Sequence, residues 1–475
     1  MNASTLHRAT SGVVLGMALF GIVTHVTLWA NGGFWPIALP LCLIVGWLGT
    51  SRIDLQPGGG EPTPTWMKLA VLALVLVVTG ILTNGALATP ARHWDGTIAW
   101  ELKATYLTLT PTLHQDYFAH PDVYAPARDY PLLQPLVVAS GNALFGHGRA
   151  IFPVLYLVMI GLVACAARAR TTDRIGLGVT AALAVTPMLI TPTAGSFDSG
   201  YADATVAAWV TAAAAALLLG DRRLLFASGL ALVLTKPEGL VYAALPIAVA
   251  WCTRDRSNYR TALIAWCAGG ALWLPLHAWL QYAGQVDIPA WGIWLAWLGV
   301  GVALWVMESR LGERVASARA RTLVGLGVVF AAVLGLLALA AAFAGDRSTM
   351  GLYLADAMRP ITRLGELPTL LAGFFDRAIV RMRFLTTFAL PIVLGIALAI
   401  RRMRPAAPCL GLYVGLGLVA VFGPFLLSPE DDLQHLIRST MPRVLLHWTG
   451  AVWLLSGVWL AQLAPRTRTN SQPSA

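Results

Sequence analysis

The segment HWDGTIAWELKA, residues 93–104, places two acids and a lysine directly after a long apolar run. At a boundary between lipid and water, the carboxylate of Asp95 could act as a general base and take a proton from an attacking hydroxyl. The alternative is that Asp95 only caps the helix that follows it. If the segment is helical, Glu101 lies about 240° further around the axis. The spacing therefore predicts no carboxylate pair, and Lys103 can be explained by snorkelling towards the membrane surface.

The segment RDYPLLQP, residues 128–135, combines an acid and a tyrosine with a proline. The residue before a proline is pushed out of the helical region, and proline is tolerated in a helix's first turn. Asp129 and Tyr130 are therefore predicted to precede a helix that leads back into the membrane, with Asp129 as its N-cap. The alternative for this pair is a contact with a sugar or a phosphate.

Two short connections also carry charge. In SFDSGYADATVA, residues 196–207, capping of the next helix explains one of Asp198 and Asp203 better than it explains both. In LTKPEGL, Lys236 and Glu238 could neutralise each other, or Lys236 could pair with a lipid phosphate. Charged groups at membrane depth are costly and usually face a cavity or a partner. These connections are therefore candidate parts of a site.

The segment DDLQHLIRSTMPR, residues 431–443, has the spacing of an amphipathic helix that lies on the membrane. One interpretation is that its charges contact only solvated headgroups. The other places His435 and Arg438 at a phosphate or pyrophosphate group, because a guanidinium presents a fork of donors that suits phosphate oxygens.

The composition indicates what holds these residues in place. The 475 residues are 57% hydrophobic and 12% charged, whereas a soluble domain carries about 25% charged residues. Many apolar stretches reach or approach the roughly 20 residues that cross a bilayer. The first run, residues 11–30, exceeds the apolar core of a signal peptide, which is about 7–15 residues long. The sequence predicts an all-α, polytopic membrane protein that retains its first helix and excludes an ordinary soluble enzyme.

About 14 spans are predicted, at residues 11–30, 34–49, 66–88, 151–167, 175–195, 201–219, 224–235, 239–252, 261–280, 291–307, 322–344, 384–400, 409–427 and 444–463. Arginine clusters occupy alternate connections, which the positive-inside rule assigns to the cytoplasm. They contain Arg168, Arg170 and Arg174; Arg222 and Arg223; Arg254, Arg256 and Arg260; Arg310, Arg314, Arg319 and Arg321; Arg401, Arg402 and Arg404; and Arg466 and Arg468. The long polar segments 89–150, 345–383 and 428–443 then face outward.

Several function classes lack support in the chain. The five cysteines show no CxxC spacing, which argues against a disulfide framework or a zinc site. The net charge of +10 is not gathered into a basic domain with interleaved aromatic residues, so no nucleic-acid partner is predicted. The signatures of ATP-driven transport and of zinc proteolysis, a P-loop and HExxH, do not occur.

The order of these segments resembles the GT-C superfamily of membrane glycosyltransferases. An outer loop opens with HWDGTIAWELKA and is followed by DYPLLQP, GYAD, TKPEGL and DLQHLIRSTMPR. The likeness is to the bacterial family 39-like branch, with its protein O-mannosyltransferases and aminoarabinose transferases. It covers residues 66–463, so that residues 1–65 form two additional spans and residues 464–475 a cytoplasmic tail.

The resemblance implies a transferase in the bacterial inner (plasma) membrane, with its active site facing the periplasm or exterior. It would move a sugar from a polyprenyl-phosphate donor to a hydroxyl of a protein, lipid or polysaccharide, by an inverting displacement among membrane lipids. Asp95 would be the catalytic base. The donor phosphate would contact Lys236, Arg438 and Arg443. Residues expected to bind substrate are Glu101, Asp129, Tyr130, Asp203, Glu238 and His435.

The chain departs from the family at one position. Several members carry two adjacent acids in this loop, whereas Asp95 is followed by Gly96, and no metal or other cofactor is therefore predicted. Two other functions stay open. A transporter or flippase of lipid-linked sugars would have charges in its mid-membrane spans and an internal repeat, and neither is evident. A glycan ligase would share the donor chemistry.

Overall fold

The computed structural model describes residues 3–31, 33–50, 53, 55, 63–91, 94–120, 127–191, 193–281, 290–311, 362–384, 386–428 and 430–464. Its α-helices are α1 Ala3–Asn31, α2 Ala38–Leu48, α3 Thr65–Ala88, α4 Leu102–Leu109, α5 Asp116–Ala119, α6 Leu133–Phe145, α7 Ile151–Arg170, α8 Asp173–Ala184, α9 Pro187–Ile190, α10 Ala202–Leu219, α11 Arg222–Thr235, α12 Glu238–Thr253, α13 Arg256–Gln281, α14 Ala290–Leu311, α15 Leu367–Phe375, α16 Ala389–Ile400, α17 Pro408–Ala420, α18 Gly423–Leu427, α19 Leu433–Leu446 and α20 Thr449–Leu463. Two π-helices, Asp95–Glu101 and Asp376–Val380, precede α4 and follow α15. Within these ranges the only β-structure is an isolated bridge, so the all-α class is confirmed.

Six stretches of helix in the described ranges are long and apolar enough to cross a membrane. They are Ala3–Ala30, Thr65–Ala88, Gly148–Arg170, Ala202–Leu219, Arg256–Leu280 and Pro408–Leu427. The consecutive helices α19 and α20 make a seventh span if they count as one, bent by 56°. The chain is thus a helical membrane protein. The number of about 14 spans stays a prediction, and the span at 322–344 lies outside the described residues, as do residues 345–361 and 465–475.

Helix α10 lies at the centre of the fold. Of the 18 residues of Ala202–Leu219, 94% are buried. The alanine-rich sequence of this helix lets α7, α11, α17 and α20 pack against it. Small side chains allow membrane helices to approach closely, because lipid offers no hydrophobic driving force between them. The indole of Trp209 donates to Thr235 Oγ1 at 3.0 Å. Helix α10 is therefore held inside the protein, and its first turn is buried with the rest.

Helices α1 and α2 form an antiparallel hairpin that touches backbone to backbone. A Cβ at Gly46 would lie 2.3 Å from the nitrogen of Gly16 and 2.5 Å from the carbonyl oxygen of Gly12. Helix α1 also packs on α7 and α11. Its buried His7 pairs with Asp221 at 3.0 Å, at the end of α10 remote from Asp203. The first helix is therefore part of the central packing.

Replacing Gly46 by alanine is expected to force α1 and α2 apart, since backbone atoms cannot give way. Overpacking of this kind costs about 1–3 kcal/mol, and thermal unfolding of the purified protein in detergent would measure the loss. Gly80→Ala in α3 is the matched control, because a Cβ there meets no atom within 4 Å. Equal unfolding temperatures for the two variants would contradict the close packing.

The helix starts differ from the predicted caps. Asp95 lies in the first turn of its π-helix, whose N-cap is Trp94. The N-cap of α6 is Leu132 and not Asp129, so that prediction is wrong. Tyr130 and Pro131 separate Asp129 from the cap, because the chain stays non-helical around Pro131. Neither acid caps its helix.

The late amphipathic helix is present as α19, and the side chain of Asp432 caps it by accepting the amide of His435 at 2.8 Å. Its apolar residues do not lie against lipid as predicted. Leu433 and Ile437 are buried in the protein core, and Ile437 packs against Gly373 of α15. The apolar side of α19 therefore fixes this helix to the protein.

Candidate active site

A fully buried carboxylate, that of Asp203, is contacted by three side chains from two other segments of the chain. Its Oδ1 accepts from Lys236 Nζ at 2.9 Å and lies 2.9 Å from His447 Nε2. Its Oδ2 accepts from Arg443 Nε at 3.1 Å and lies 3.0 Å from Arg443 Nη2. An ionised carboxylate only accepts hydrogen bonds, so the Nε2 of His447 carries a proton. Asp203 was predicted only to bind substrate, whereas the structure makes it the hub of a charged cluster.

The sequence TKPEG explains how Lys236 reaches this hub. Helix α11 ends at Thr235, and Lys236 is extended, with φ −155° and ψ 149°, as expected for a residue before a proline. Helix α12 then begins at Glu238, whose Oε1 lies 3.1 Å from Lys236 Nζ. The break between the two helices turns the ammonium group inward. Lys236 therefore pairs with two carboxylates, and Glu238, the partner that the sequence suggests, is one of them.

Arg443 connects the hub to the candidate base. Its Nη1 lies 2.8 Å from Asp95 Oδ2, and its other nitrogens contact Asp203. The guanidinium also stacks on the ring of Tyr201, 4.5 Å from the centroid. Burial, with Asp95 nearby, raises the pKa of Tyr201 to about 12, so this phenol stays protonated near neutral pH. The side chain of Asp95 is 33% exposed and that of Asp203 is not exposed at all, so the cluster runs from the interior to an accessible edge.

Gly96 lets the π-helix lie against the turn before α10. A Cβ at this position would lie 2.6 Å from the carbonyl oxygen of Ser199 and 3.1 Å from the ring of Tyr201. No side chain fits there without moving the backbone. This contact explains why glycine, rather than a second acid, follows Asp95 in this chain.

Sequence reasoning missed His447 and Tyr242. The Nδ1 of His447 lies 3.2 Å from the hydroxyl of Tyr242. Since Nε2 faces Asp203 with its proton, Nδ1 of the neutral ring accepts and the tyrosine donates. Histidine four residues after Arg443 lies on the same side of a helix, and this spacing could have found it. Both residues are buried, and the tyrosine hydroxyl holds the ring of His447 that contacts Asp203.

The charges of the cluster nearly cancel. Three carboxylates, of Asp95, Asp203 and Glu238, face two permanent cations, Lys236 and Arg443, and each cation contacts two carboxylates. Buried ions are stable only when they are paired in this way. An anionic ligand at the open edge can compete with Asp95 for Arg443, because Asp95 is the most exposed acid that Arg443 contacts. The arrangement can therefore bind an oxyanion and free a carboxylate in the same event.

Three predicted site residues lie away from the hub. Glu101 accepts the amide of Ala91 at 3.2 Å, and its other oxygen is 4.0 Å from Arg149. Asp95 and Glu101 thus have different partners, which confirms that they are not a carboxylate pair. His435 and Arg438 are exposed on α19, and no contact between them and the hub is present in the described part of the chain. Their roles in phosphate or substrate binding stay predictions.

Asp129 and Tyr130 belong to a second buried cluster. Asp129 is close to Lys103 and His277, and Tyr130 packs on Trp100 with ring centroids 5.8 Å apart. Burial lowers the pKa of Lys103 to about 7, and Asp129 partly opposes that shift. The prediction that Lys103 snorkels is wrong, since its side chain is completely buried.

The described residues contain no group of three or more histidine, cysteine or acidic side chains that could hold a metal ion. The five cysteines are free thiols, buried or partly buried. The expectation that no metal is needed stays a prediction.

No protein-family profile and no curated protein matches the chain. Among solved structures, it is similar to the archaeal oligosaccharyltransferase AglB from Archaeoglobus fulgidus in complex with an inhibitory peptide and a dolichol-phosphate. That likeness has 13% identity and a TM-score of 0.48, and it covers 84% of this chain and 51% of AglB. The chain is also similar to ArnT from Cupriavidus metallidurans bound to undecaprenyl phosphate, at 18% identity and a TM-score of 0.35, over 84% of this chain and 78% of ArnT. The chain thus spans about half the length of AglB, and likenesses this weak say nothing of its activity.

Proposed function

We propose that the protein is a membrane glycosyltransferase that moves a sugar from a polyprenyl-phosphate donor to an acceptor hydroxyl at the outer face. One observation carries the proposal. Arg443 contacts both the partly exposed carboxylate of Asp95 and the buried carboxylate of Asp203, which also pairs with Lys236. A candidate base and two candidate phosphate ligands therefore lie together, as the resemblance to GT-C enzymes predicts.

The proposed reaction is one displacement with inversion. The acceptor hydroxyl gives its proton to Asp95, and its oxygen attacks the anomeric carbon of the donor from the face opposite the phosphate. The bond between that carbon and the phosphate oxygen breaks, and the polyprenyl phosphate leaves with the electron pair. Lys236 and Arg443 bind the phosphate and stabilise its increased charge. Asp203 keeps both cations in place, and no cofactor takes part.

Donor binding and base release are coupled in this scheme. A carboxylate held by Arg443 at 2.8 Å is a poorly placed base, since one of its oxygens already accepts from a cation. A phosphate that binds Arg443 takes over this contact and frees Asp95 to face the acceptor. The donor therefore binds first and the acceptor second.

A transfer assay distinguishes the proposal from its alternatives. The purified protein in liposomes is incubated with polyprenyl-phosphate sugars that carry a label in the sugar, together with hydroxyl-bearing acceptors. Movement of label from lipid to acceptor supports the transferase. Movement of the intact labelled lipid between leaflets without transfer would identify a flippase, and transfer of preassembled glycans alone would identify a ligase.

Lys236→Met tests the phosphate site. The loss of one charge-assisted contact, about 1.5–3 kcal/mol, is expected to raise the Kd for polyprenyl phosphate by about 10- to 100-fold in calorimetry. Lys68→Met is the matched control among the three lysines. Lys68 is half exposed on α3 and pairs with Asp173 at 3.1 Å. An unchanged Kd for Lys236→Met would remove Lys236 from the site.

A further inference from the structure

The second buried cluster contains two acceptor atoms without a hydrogen-bond partner in the described part of the chain. They are Asp129 Oδ2 and His277 Nε2. Asp129 is 6% exposed and His277 is 3% exposed, so water in bulk does not reach them. Nearly all buried polar atoms in native proteins have a partner, and an exception needs an explanation such as a bound molecule.

The protonation of His277 follows from its other nitrogen. Nδ1 lies 2.9 Å from the carbonyl oxygen of Asp129, which can only accept, so Nδ1 carries the proton. In a neutral imidazole with its proton on Nδ1, Nε2 is an acceptor with a free lone pair. Asp129 Oδ2, 3.7 Å from Nδ1, is an acceptor too. The two free atoms therefore require a ligand that donates two hydrogen bonds.

The surroundings define the class of that ligand. The ammonium group of Lys103 donates to the carbonyl of Ala127 and lies over the rings of Trp100 and Tyr130, 5.5 and 5.6 Å from their centroids. Its positive charge near Asp129 disfavours a metal cation. Two acceptors disfavour an anion such as phosphate. A neutral molecule with adjacent hydroxyl groups, beside aromatic rings, satisfies both conditions.

The cluster adjoins the candidate active site. Trp100 packs on Ala202, the residue before Asp203, and Tyr130 packs against the same small core. Trp100 also belongs to the π-helix that begins with Asp95. In a sugar phosphate the ring is bonded directly to the phosphate oxygen, so its hydroxyls lie a few bonds from the phosphate. A donor phosphate at Arg443 would place its sugar ring within the neighbourhood of this cluster.

We propose that Asp129 and His277 bind hydroxyl groups of the donor's sugar ring and thereby determine which sugar is accepted. The proposal rests on the proposed function, since it takes the lipid-linked sugar as the ligand. Asp129 and His277 are specificity-determining residues, separate from Lys236 and Arg443, which bind the phosphate that every donor shares.

The test compares two probes in detergent calorimetry, undecaprenyl phosphate and undecaprenyl phosphate that bears a hexose. The sugar is expected to strengthen binding to the wild type. Asp129→Asn and His277→Phe are expected to bind the bare lipid phosphate as the wild type does and to bind the sugar-bearing lipid at least tenfold more weakly. Thermal unfolding of both variants is measured alongside, because Asp129→Asn removes the charge opposite Lys103 and His277→Phe removes the hydrogen bond to the carbonyl of Asp129.

The controls separate the two proposals. His7→Phe, a buried histidine that pairs with Asp221, is expected to leave both affinities unchanged, whereas Lys236→Met weakens both. If the variants weaken both probes equally, or neither, Asp129 and His277 have a structural role or hold only water, and the inference is overturned while the phosphate site stands. If the wild type binds neither probe, the proposed function fails, and this inference fails with it.

Discussion

Replacing Asp203 by asparagine is expected to abolish sugar transfer and to lower the free energy of unfolding by about 3–5 kcal/mol, the typical cost of breaking a buried ion pair. The amide keeps the size of the side chain but removes the charge that balances Lys236 and Arg443. It also presents an NH₂ group to donors that need an acceptor. Thermal unfolding and labelled-sugar transfer, measured on the same preparation, test both effects.

The matched control for this variant is Asp221→Asn. Asp221 is also a buried acid, at the opposite end of α10, where it caps α11 and pairs with His7. This variant is expected to lose stability but to retain transfer at temperatures where it is folded. If Asp203→Asn also retains transfer when folded, Asp203 has only a structural role. Transfer then does not require Asp203 to hold Lys236 and Arg443 in place.

Asp95→Asn is expected to lower kcat by about 10²- to 10⁴-fold, the contribution of a general base. The variant should fold normally, because the side chain lies at the exposed edge of the cluster. It should also bind polyprenyl phosphate at least as tightly as the wild type, since the neutral amide competes less well for Arg443. Transfer rates and donor affinity measured together separate loss of the base from loss of the site.

Asp116→Asn provides the comparison for that result. Asp116 is an exposed acid in the same polar segment, 89–150, at the start of α5, and the Asp116→Asn variant is expected to transfer sugar at the wild-type rate. Full activity of Asp95→Asn would show that another group accepts the proton. Weaker donor binding by Asp95→Asn would contradict the competition between Asp95 and the phosphate for Arg443.

The sequence predicted much of the hub because its residues mark breaks in helices. Asp203, Lys236 and Glu238 lie where apolar helices begin or end, and these helix ends meet on the same side of the protein. The breaks were visible as proline, glycine and charge. What they could not reveal is that one carboxylate would collect the cations, since that depends on how the spans pack.

The less successful predictions concern the direction in which a side chain points rather than its position along the chain. His435, Arg438 and Arg443 share one helix, and periodicity shows which residues lie on a common face but not which face meets the site. Only Arg443 turned inward, while the other two are exposed. The π-helix after Trp94 also has no sequence signature. The local sequence around Asp129 and Lys103 predicts a cap and a surface lysine, because contacts such as that of Asp129 with His277 of α13 are not visible locally.

The position of α1 has a consequence for how the chain is assembled. His7 is synthesised well before its partner Asp221, which follows 214 residues later. Contacts so distant in sequence are slow to form. Until α11 has been inserted, α1 presents a polar histidine with no acid to receive it, and only the hairpin with α2 can form early. The cluster around Asp203 has to wait longer still, because Arg443 and His447 follow Asp203 by 240 and 244 residues.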